Sequence, residues 1–377
     1  MLSHRLTPAC PHARWRCLIF LRALFQRGVL GHDMVPITPD PRAFDCVPVK
    51  RKCNVQYFSS ESLNLDLLET FVNTESIVGF VGIGRMGLPI ARHLLKAGVR
   101  VLGYKRSSPQ DFLAAGGEVK ASPAEVFTQS RVVFTCLPDD AAIDTVLNGP
   151  NGFLSSNARD RIVVDFSTSR LAARMQFGEM LRARGSTMLD CPISGIPAVV
   201  ERRKAVFLAS GDRAAFDAVE RLLRIVSENV VYLGPLGSGT KAKYIANYLL
   251  TVHVAAAAEA VAMAERSGLD VAQALAILAQ GAGGSFQLTQ RGAHMVSGAY
   301  RPAPATLADL TKDLGLIGEF ADSLGLQSAL LATATSLVNQ TIELGFADCD
   351  PAAILEAVRA HLNASTSTHP ASTHSVG

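Results

Sequence analysis

Hydrophobic residues between positions 77 and 233 fall into short runs, whereas those after position 239 recur every three or four residues. The runs Ile77 to Val81, Val132 to Cys136 and Ile162 to Phe166 have the pattern of buried strands separated by helical segments. Strands that alternate with helices predict a doubly wound parallel sheet of the Rossmann type. Strand patterns stop after Gly239, so we expect an all-α domain to follow the α/β domain.

A long, Ala-rich helix at the start of the second domain would join it to the sheet. Helices are predicted over Thr240 to Ser267, Val271 to Gln280, Leu307 to Leu324, Ser328 to Leu344 and Pro351 to Asn363. A helical domain as apolar as this one also predicts pairing with further copies of the chain, as a homodimer or homotetramer.

Length and composition fix the number of domains. The chain has 377 residues, and single cores stop growing at about 250 to 300 residues. Hydrophobic residues make up 48% of the chain, yet no uncharged apolar run approaches the ~18 residues of a membrane span. We therefore expect a soluble protein with an extension (residues 1–74), an NAD(P)-binding Rossmann domain (75–238), a helical substrate and dimerisation domain (239–363) and a disordered tail (364–377).

The excess positive charge lies in the extension. Residues 1–74 contain nine Lys/Arg and six Asp/Glu, while the rest of the chain balances at 27 of each. The catalytic part therefore gives no sign of a nucleic-acid groove. Residues 1–32 carry five arginines and no acidic residue, as in a transit peptide, but serine is scarce there. We expect a cytoplasmic protein, with the mitochondrial matrix as the alternative.

The cysteines indicate no metal site. Seven are scattered along the chain without a C-x-x-C pair or a nearby histidine at ligand spacing. This usage predicts a reducing compartment and no bound metal.

A glycine-rich turn follows the first strand. The residues are Gly82-Ile83-Gly84-Arg85-Met86-Gly87, a G-x-G-x-x-G pattern that leads into a helical segment. Gly82 permits a tight turn, Gly84 lets a pyrophosphate approach the backbone, and Gly87 lets helix and strand pack closely. This context predicts dinucleotide binding at the helix N-terminus, and an ordinary tight turn is the alternative.

The second strand ends in cations where many NAD enzymes carry an acid. Lys105, Arg106, Ser107 and Ser108 follow Tyr104, about 20 residues after the first glycine. Two cations and two hydroxyls suit a 2′-phosphate, which favours NADP over NAD. The alternative is a solvated loop with ordinary surface charge.

Two polar side chains stand out in the long helix. Lys243 and Asn247 are four residues apart and so share one face. A proton-transfer pair is one interpretation, and a snorkelling lysine with a capped asparagine is the other. Further polar or turn-forming residues follow predicted strands at Leu137-Pro138, Ser167-Thr168 and Ser194-Gly195. Ligands bind at this edge of such sheets, although each could be only a turn.

Taken in order, these motifs resemble the β-hydroxyacid dehydrogenase family, which includes 3-hydroxyisobutyrate dehydrogenase and tartronate semialdehyde reductase. The resemblance runs from about Ser76 to about Leu344. Besides the glycine turn and Leu137-Pro138, the matching motifs within this span are Asp165 to Thr168, Asp190 to Gly195, Gly237 to Lys243 with Asn247, and Lys312 to Leu314.

The resemblance implies roles at particular positions. Lys243 corresponds to the catalytic lysine and Asn247 to the amide that orients it. Ser194 and Gly195 correspond to the site of the substrate carboxylate. Contacts to the nicotinamide side of the cofactor are implied for Leu137, Pro138, Thr168 and Lys312.

Three departures from the family pattern leave the substrate open. Ala246 replaces one of two asparagines, Ile196 replaces a second glycine, and a charged stretch from Glu201 to Lys204 replaces small residues. We expect these charges to face water. Phe286, Arg291 and Met295 are candidates for substrate selection, and Arg291 is either a partner for a second carboxylate or a surface arginine.

The sequence therefore predicts an NAD(P)-dependent oxidoreductase that acts on a small β-hydroxyacid or semialdehyde. Two alternatives remain: an imine reductase on the same architecture, and a non-catalytic scaffold that binds nucleotide.

Overall fold

The computed structural model describes residues 77–367, with side chains to residue 364. The predicted extension and most of the predicted tail lie outside this range, so the expectations for them, including the cellular location, stay predictions.

The first domain is built on one twisted sheet. Its strands are β1 (Ile77–Val81), β2 (Arg100–Tyr104), β3 (Glu118–Val119), β4 (Val132–Thr135), β5 (Ile162–Asp165), β6 (Thr187–Asp190), β7 (Ile193–Ser194), β8 (Val206–Gly211) and β9 (Asn229–Tyr232). The order is β3-β2-β1-β4-β5-β6-β8-β7, with β9 also beside β8. β1 to β6 pair in parallel, which confirms the predicted Rossmann-type architecture.

The sheet is not parallel throughout, contrary to the prediction. β8 runs antiparallel to both β6 and β7. A parallel return needs a crossover that carries the chain back along the sheet, usually a full helix. Only the five-residue helix Pro197–Glu201 precedes β8, and it is too short for that path.

Helices cover both faces of the sheet. They are α1 (Gly87–Lys96), α2 (Gln110–Ala114), α3 (Pro123–Gln129), α4 (Asp140–Asn148), α5 (Leu171–Arg182), α6 (Pro197–Glu201) and α7 (Arg213–Val226). Two buried clusters result, one centred on Phe80, Phe134 and Phe207 and one on Phe127 and Phe153.

The second domain is entirely helical. Its elements are α8 (Ser238–Arg266), α9 (Val271–Leu278), α10 (Phe286–Ser297), α11 (Leu307–Ser323), α12 (Ala329–Thr341), a π-helical turn (Ile342–Phe346), a 3₁₀ turn (Pro351–Ala353) and α13 (Ile354–Ser367). α13 continues past the predicted end at Asn363. The prediction missed α10, which Ser285 caps at Leu288 N and Gly298 ends in the left-handed conformation.

Helix α8 is the centre of this domain. It contacts α9 to α13 on one side and β6 to β8 at its N-terminus. Within the described range it is the one helix long and apolar enough to cross a bilayer, but a core helix passes the same test. Its buried residues, from Gly239 to Ala264, pack inside the protein.

The first turn of α8 approaches the sheet closely. A Cβ at Gly239 would lie 2.1 Å from Leu208 O, so a larger residue has no room there. The buried face is polar from Thr240 to Thr251 and apolar from Val254 onward. Lys243 and Asn247 therefore lie in the part of α8 nearest the sheet.

Candidate active site

A cavity of about 620 Å³ opens at the carboxyl ends of β1, β2 and β4. Its lining includes eleven of the residues predicted to bind the cofactor: Gly82, Ile83, Gly84, Arg85, Met86, Gly87, Lys105, Arg106, Ser107, Leu137 and Pro138. The structure thus brings the glycine turn, the cationic loop and the Leu137-Pro138 turn to one site.

The glycine turn fits a dinucleotide. Gly82 has φ +95°, and a Cβ there would lie 2.3 Å from Cys136 O. A Cβ at Gly87 would lie 2.3 Å from Gly82 O, whereas Gly84 has open space beside it. Met86, at the N-cap of α1, makes no side-chain hydrogen bond to the first turn. Leu88 N already donates to Gly84 O at 3.0 Å and Pro89 has no N–H. The positive end of the dipole of α1, beside the glycine turn, therefore favours a pyrophosphate.

The positive charges of the cationic loop, Lys105 to Ser108, have no acidic partner among the described residues. Lys105 and Arg106 form no ion pair within the described part of the chain, while the neighbouring Arg100 pairs with Glu118 at 2.9 Å. Two unpaired cations beside the cavity suit an added phosphate group. Arg85 differs from them, because its Nη2 lies 3.1 Å from Asp309 on α11.

Thr168 and Lys312 line a second, smaller cleft of about 280 Å³, which we call the interdomain cleft. Lys312 Nζ donates to Pro138 O at 2.5 Å and to Thr168 O at 2.8 Å. These contacts bring α11 against the turns that follow β4 and β5. The predicted nicotinamide-side residues therefore meet at the boundary between the domains.

Lys243 is a nearly buried amine, with 9% of its surface exposed. Burial lowers its pKa because the ammonium form loses hydration, and the carboxylate of Asp313 opposes this effect. Asn247 is 6% exposed, and its Nδ2 donates to Asp313 Oδ2 at 2.7 Å. This burial argues against the snorkelling interpretation, in which the amine would extend from the protein surface into water.

Asp313 is a site residue to which the sequence analysis gave no role. Burial raises its pKa, while Lys243, Lys312 and the bond from Asn247 lower it. It follows Lys312 directly, so α11 carries both a carboxylate that interacts electrostatically with Lys243 and a lysine that binds Pro138 O and Thr168 O. The signal in the sequence was its adjacency to Lys312, but its distance of 66 residues from Asn247 concealed the contact.

Ser194 and Gly195 lie at the end of β7, which contacts α8. Gly195 has φ +152°, and a Cβ there would meet Ala205 Cβ at 3.0 Å. This turn is therefore close to the helix that bears Lys243, although it lines neither described cavity.

The remaining candidates lie elsewhere. Arg291 is not a surface arginine: its Nε binds Asp350 at 3.0 Å, and only 13% of its side chain is exposed. Met295 is buried in the helical core, and Phe286 is 73% exposed. In the charged stretch, Lys204 pairs with Glu228 at the surface, consistent with charges that face water.

Cys136 is a half-buried thiol at the cofactor cavity. Burial raises the pKa of Cys136, which lines the cofactor cavity, to about 12. This thiol therefore stays protonated near neutral pH, and the thiolate is the more reactive form.

Comparison with known proteins agrees with this geometry. Residues 77–234 match the NAD-binding domain of 6-phosphogluconate dehydrogenase, and residues 237–358 match the NAD-binding domain of NADP-dependent 3-hydroxyisobutyrate dehydrogenase. The chain is 31% identical to L-threonate dehydrogenase of Cupriavidus necator over 282 residues, which cover 74% of this chain and 95% of that protein. The chain belongs to the β-hydroxyacid dehydrogenase family.

Other members of the family share the same span. Glyoxylate/succinic semialdehyde reductase 2 of Arabidopsis thaliana is 28% identical, over 75% of this chain and 79% of that protein. The crystal structure of a 3-hydroxyisobutyrate dehydrogenase from Salmonella typhimurium is 30% identical, with a TM-score of 0.67, over 75% of this chain and 99% of that one. This family member is thus an NAD(P)-dependent oxidoreductase with a Rossmann domain and a helical domain.

Replacing Asp313 tests the electrostatics of the site without reference to turnover. In Asp313→Asn the anion that raises the pKa of Lys243 is gone and desolvation remains, so the pKa of Lys243 falls further. An NMR titration of the lysine Nζ, assigned by its loss in Lys243→Ala, measures this change. Asp309→Asn, on the same helix but paired with Arg85, is the control and leaves the titration unchanged. A pKa of Lys243 that stays constant or rises in Asp313→Asn contradicts this electrostatic interaction.

Proposed function

We propose that this oxidoreductase interconverts a small 3-hydroxyacid and its semialdehyde, using NADP in preference to NAD, with Lys243 as general acid and base. The observation that carries the proposal is the buried amine of Lys243 on α8, which interacts electrostatically with Asp313 of α11. Asp313 follows Lys312, whose amine binds the carbonyl of Pro138 at the cofactor cavity. The names of the relatives from Arabidopsis and Salmonella support the substrate class.

The bound nicotinamide supplies or accepts the hydride, so the chain itself must move a proton and hold the acid group. Lys243 takes the hydroxyl proton in oxidation and returns it in reduction. Its lowered pKa increases the fraction of neutral amine near pH 7, which general-base catalysis needs.

Asn247 would orient the substrate hydroxyl toward Lys243, and Asp313 would stabilise the charge that Lys243 gains. Because the Asn247 amide nitrogen donates to Asp313, its carbonyl oxygen remains free to accept from a substrate hydroxyl. Asp313 stabilises the ammonium form that follows proton uptake. Ser194 Oγ and the backbone at Gly195 would bind the substrate carboxylate through neutral donors.

Lysine replacement tests the catalytic role. Lys243→Ala should lower turnover by about 10²- to 10⁴-fold, because the proton acceptor is lost, while NADP binding is retained. Lys241→Ala, an exposed lysine on the same helix, is the matched control. Turnover is measured as NADPH oxidation with succinic semialdehyde, glyoxylate and a cyclic imine.

Each result has a distinct meaning. Full turnover in Lys243→Ala would remove the assignment of this residue. Reduction of the imine alone would support the imine reductase alternative, and NADPH binding without any turnover would support the scaffold alternative.

We also propose that Lys105, Arg106 and Ser107 select NADP by binding its 2′-phosphate. Loss of one charge-assisted hydrogen bond costs about 1.5–3 kcal/mol, so Arg106→Ala should raise KM for NADP by about tenfold to a hundredfold. The KM for NAD should change little, because NAD lacks the phosphate. Arg100→Ala, on the strand that precedes this loop but paired with Glu118, is the control. Equal effects on both cofactors would contradict the 2′-phosphate role.

The outer face of α8 supports a homo-oligomer, a dimer or a tetramer. Large apolar side chains there are exposed, with Ile245 at 54%, Leu249 at 45% and Met263 at 65%. An apolar stripe of this length is stabilised by contact with a second copy. Leu249→Glu should therefore shift the protein toward monomer in sedimentation velocity, and a wild type that is only monomeric at micromolar concentration refutes the proposal.

A further inference from the structure

Arg174 is a fully buried guanidinium on α5, and the cofactor and substrate sites described above do not include it. It lies between the carboxylates of Asp165 and Asp190, the last residues of the parallel neighbours β5 and β6, which are in register with each other. Both carboxylates are almost completely buried. Two anions side by side in the interior repel each other unless a cation lies between them.

On one side, Arg174 connects to Leu137, which lines the cofactor cavity. Its Nη1 pairs with Asp165 Oδ2, and its Nη2 donates to Ser167 O at 2.7 Å. Asp165 Oδ1 accepts from Ser167 Oγ at 2.6 Å, and Ser167 Oγ in turn accepts from Leu137 N at 2.8 Å. The backbone of Leu137, which lines the cofactor cavity, is thus held by the same cluster.

On the other side, Arg174 connects to the helix that bears Lys243. Its Nε lies 3.4 Å from Asp190 Oδ1, within ion-pair distance but without hydrogen-bond geometry. Asp190 accepts from Thr240 N at 2.7 Å and from Thr240 Oγ1 at 2.9 Å. Gly237, at the N-cap of α8, has no side chain to cap the helix, so Asp190 caps it from another element.

A third contact supports this arrangement. Ser210 Oγ accepts from Gly239 N at 2.9 Å and donates to Asp190 Oδ2 at 3.2 Å. The carboxylate also lies at the positive end of the dipole of α8, which stabilises the anion. Lys243 follows Thr240 by three residues and faces the same buried side.

We propose that Arg174 is a positioning residue. It fixes the first turn of α8 relative to Leu137 in the lining of the cofactor cavity, and so places the amine of Lys243. The inference rests on the catalytic role proposed for Lys243. A continuous set of buried polar contacts runs from Leu137 N through Ser167, Asp165, Arg174 and Asp190 to Thr240 N. The planar guanidinium pairs with Asp165, donates to the Ser167 carbonyl and lies within ion-pair distance of Asp190 at once, a geometry that the single amine of a lysine does not reproduce.

Arg174→Lys keeps the charge but removes this fork. A displacement of about 1 Å at a reacting group can lower turnover about a hundredfold, so we expect kcat to fall about tenfold to a hundredfold. The KM for NADP should stay constant, because the glycine turn and the cationic loop are untouched. Arg161→Lys is the matched control, since Arg161 donates to two backbone carbonyls at the opposite end of β5 and should leave kcat unchanged.

A double-mutant cycle with Lys243→Ala separates positioning from loss of folded protein. If Arg174 acts through Lys243, Arg174→Lys lowers kcat in the wild-type background and has no effect on the residual turnover of Lys243→Ala. Destabilisation alone lowers turnover by the same factor in both backgrounds, and that result overturns the inference.

Thr240→Val keeps the test valid if Arg174→Lys does not fold. It removes only the Oγ1 bond to Asp190, so it should show the same dependence on Lys243, and Thr240→Ser should restore kcat. An unchanged kcat in Arg174→Lys or, where that variant does not fold, in Thr240→Val, while Lys243→Ala is impaired, overturns this inference alone. Full turnover in Lys243→Ala removes the proposed function instead.

Discussion

The capping of helix α8 by Asp190 is the contact on which the rest of the site depends. The helix begins at a glycine turn that offers no side chain to its free N–H groups, and buried N–H groups are costly to leave unpaired. A carboxylate from β6 and a hydroxyl from β8 take these N–H groups instead. The sheet edge thereby sets where the polar face of α8 points, and that face carries Lys243 and Asn247.

Burial of several charged groups follows from this arrangement. Lys243 and Asp313 are both largely buried, and the charge of each favours the ionised form of the other. Each charge would cost more free energy there without the other, because burial removes hydration from an ionised group. Lys312 and Tyr244 join the same region to the sheet, through Pro138 O, Thr168 O and Ser169 O. The catalytic electrostatics and the docking of the domains therefore share residues.

Local signals predicted much of the fold. The strands β1, β4 and β5 were found within a residue of their ends, because short apolar runs between turns are a local pattern. α10 was missed although Ser285 and Gly298 mark its ends, because Gly292 interrupts its apolar face. A Cβ at Gly292 would come 3.1 Å from Leu275 Cδ1. The glycine is therefore explained by the close packing of α10 against α9, which local sequence does not reveal. The antiparallel β8 likewise depends on the length of a connection and not on the residues of the strand.

The sequence by itself determined the order of the elements, the glycine turn, the cationic loop and the pairing of Lys243 with Asn247 on one helix face, since each depends on neighbours a few residues apart. Only the tertiary structure decided that Asp313 lies beside that pair, that Arg174 bridges two strand ends, and that Arg291 is bound to Asp350. These contacts join residues from separate elements, and the packing of those elements sets the burial that shifts their charges. The sequence alone gives neither the burial of these groups nor the distances between them. Desolvation and Coulomb interaction depend on both, and both exist only in the folded chain.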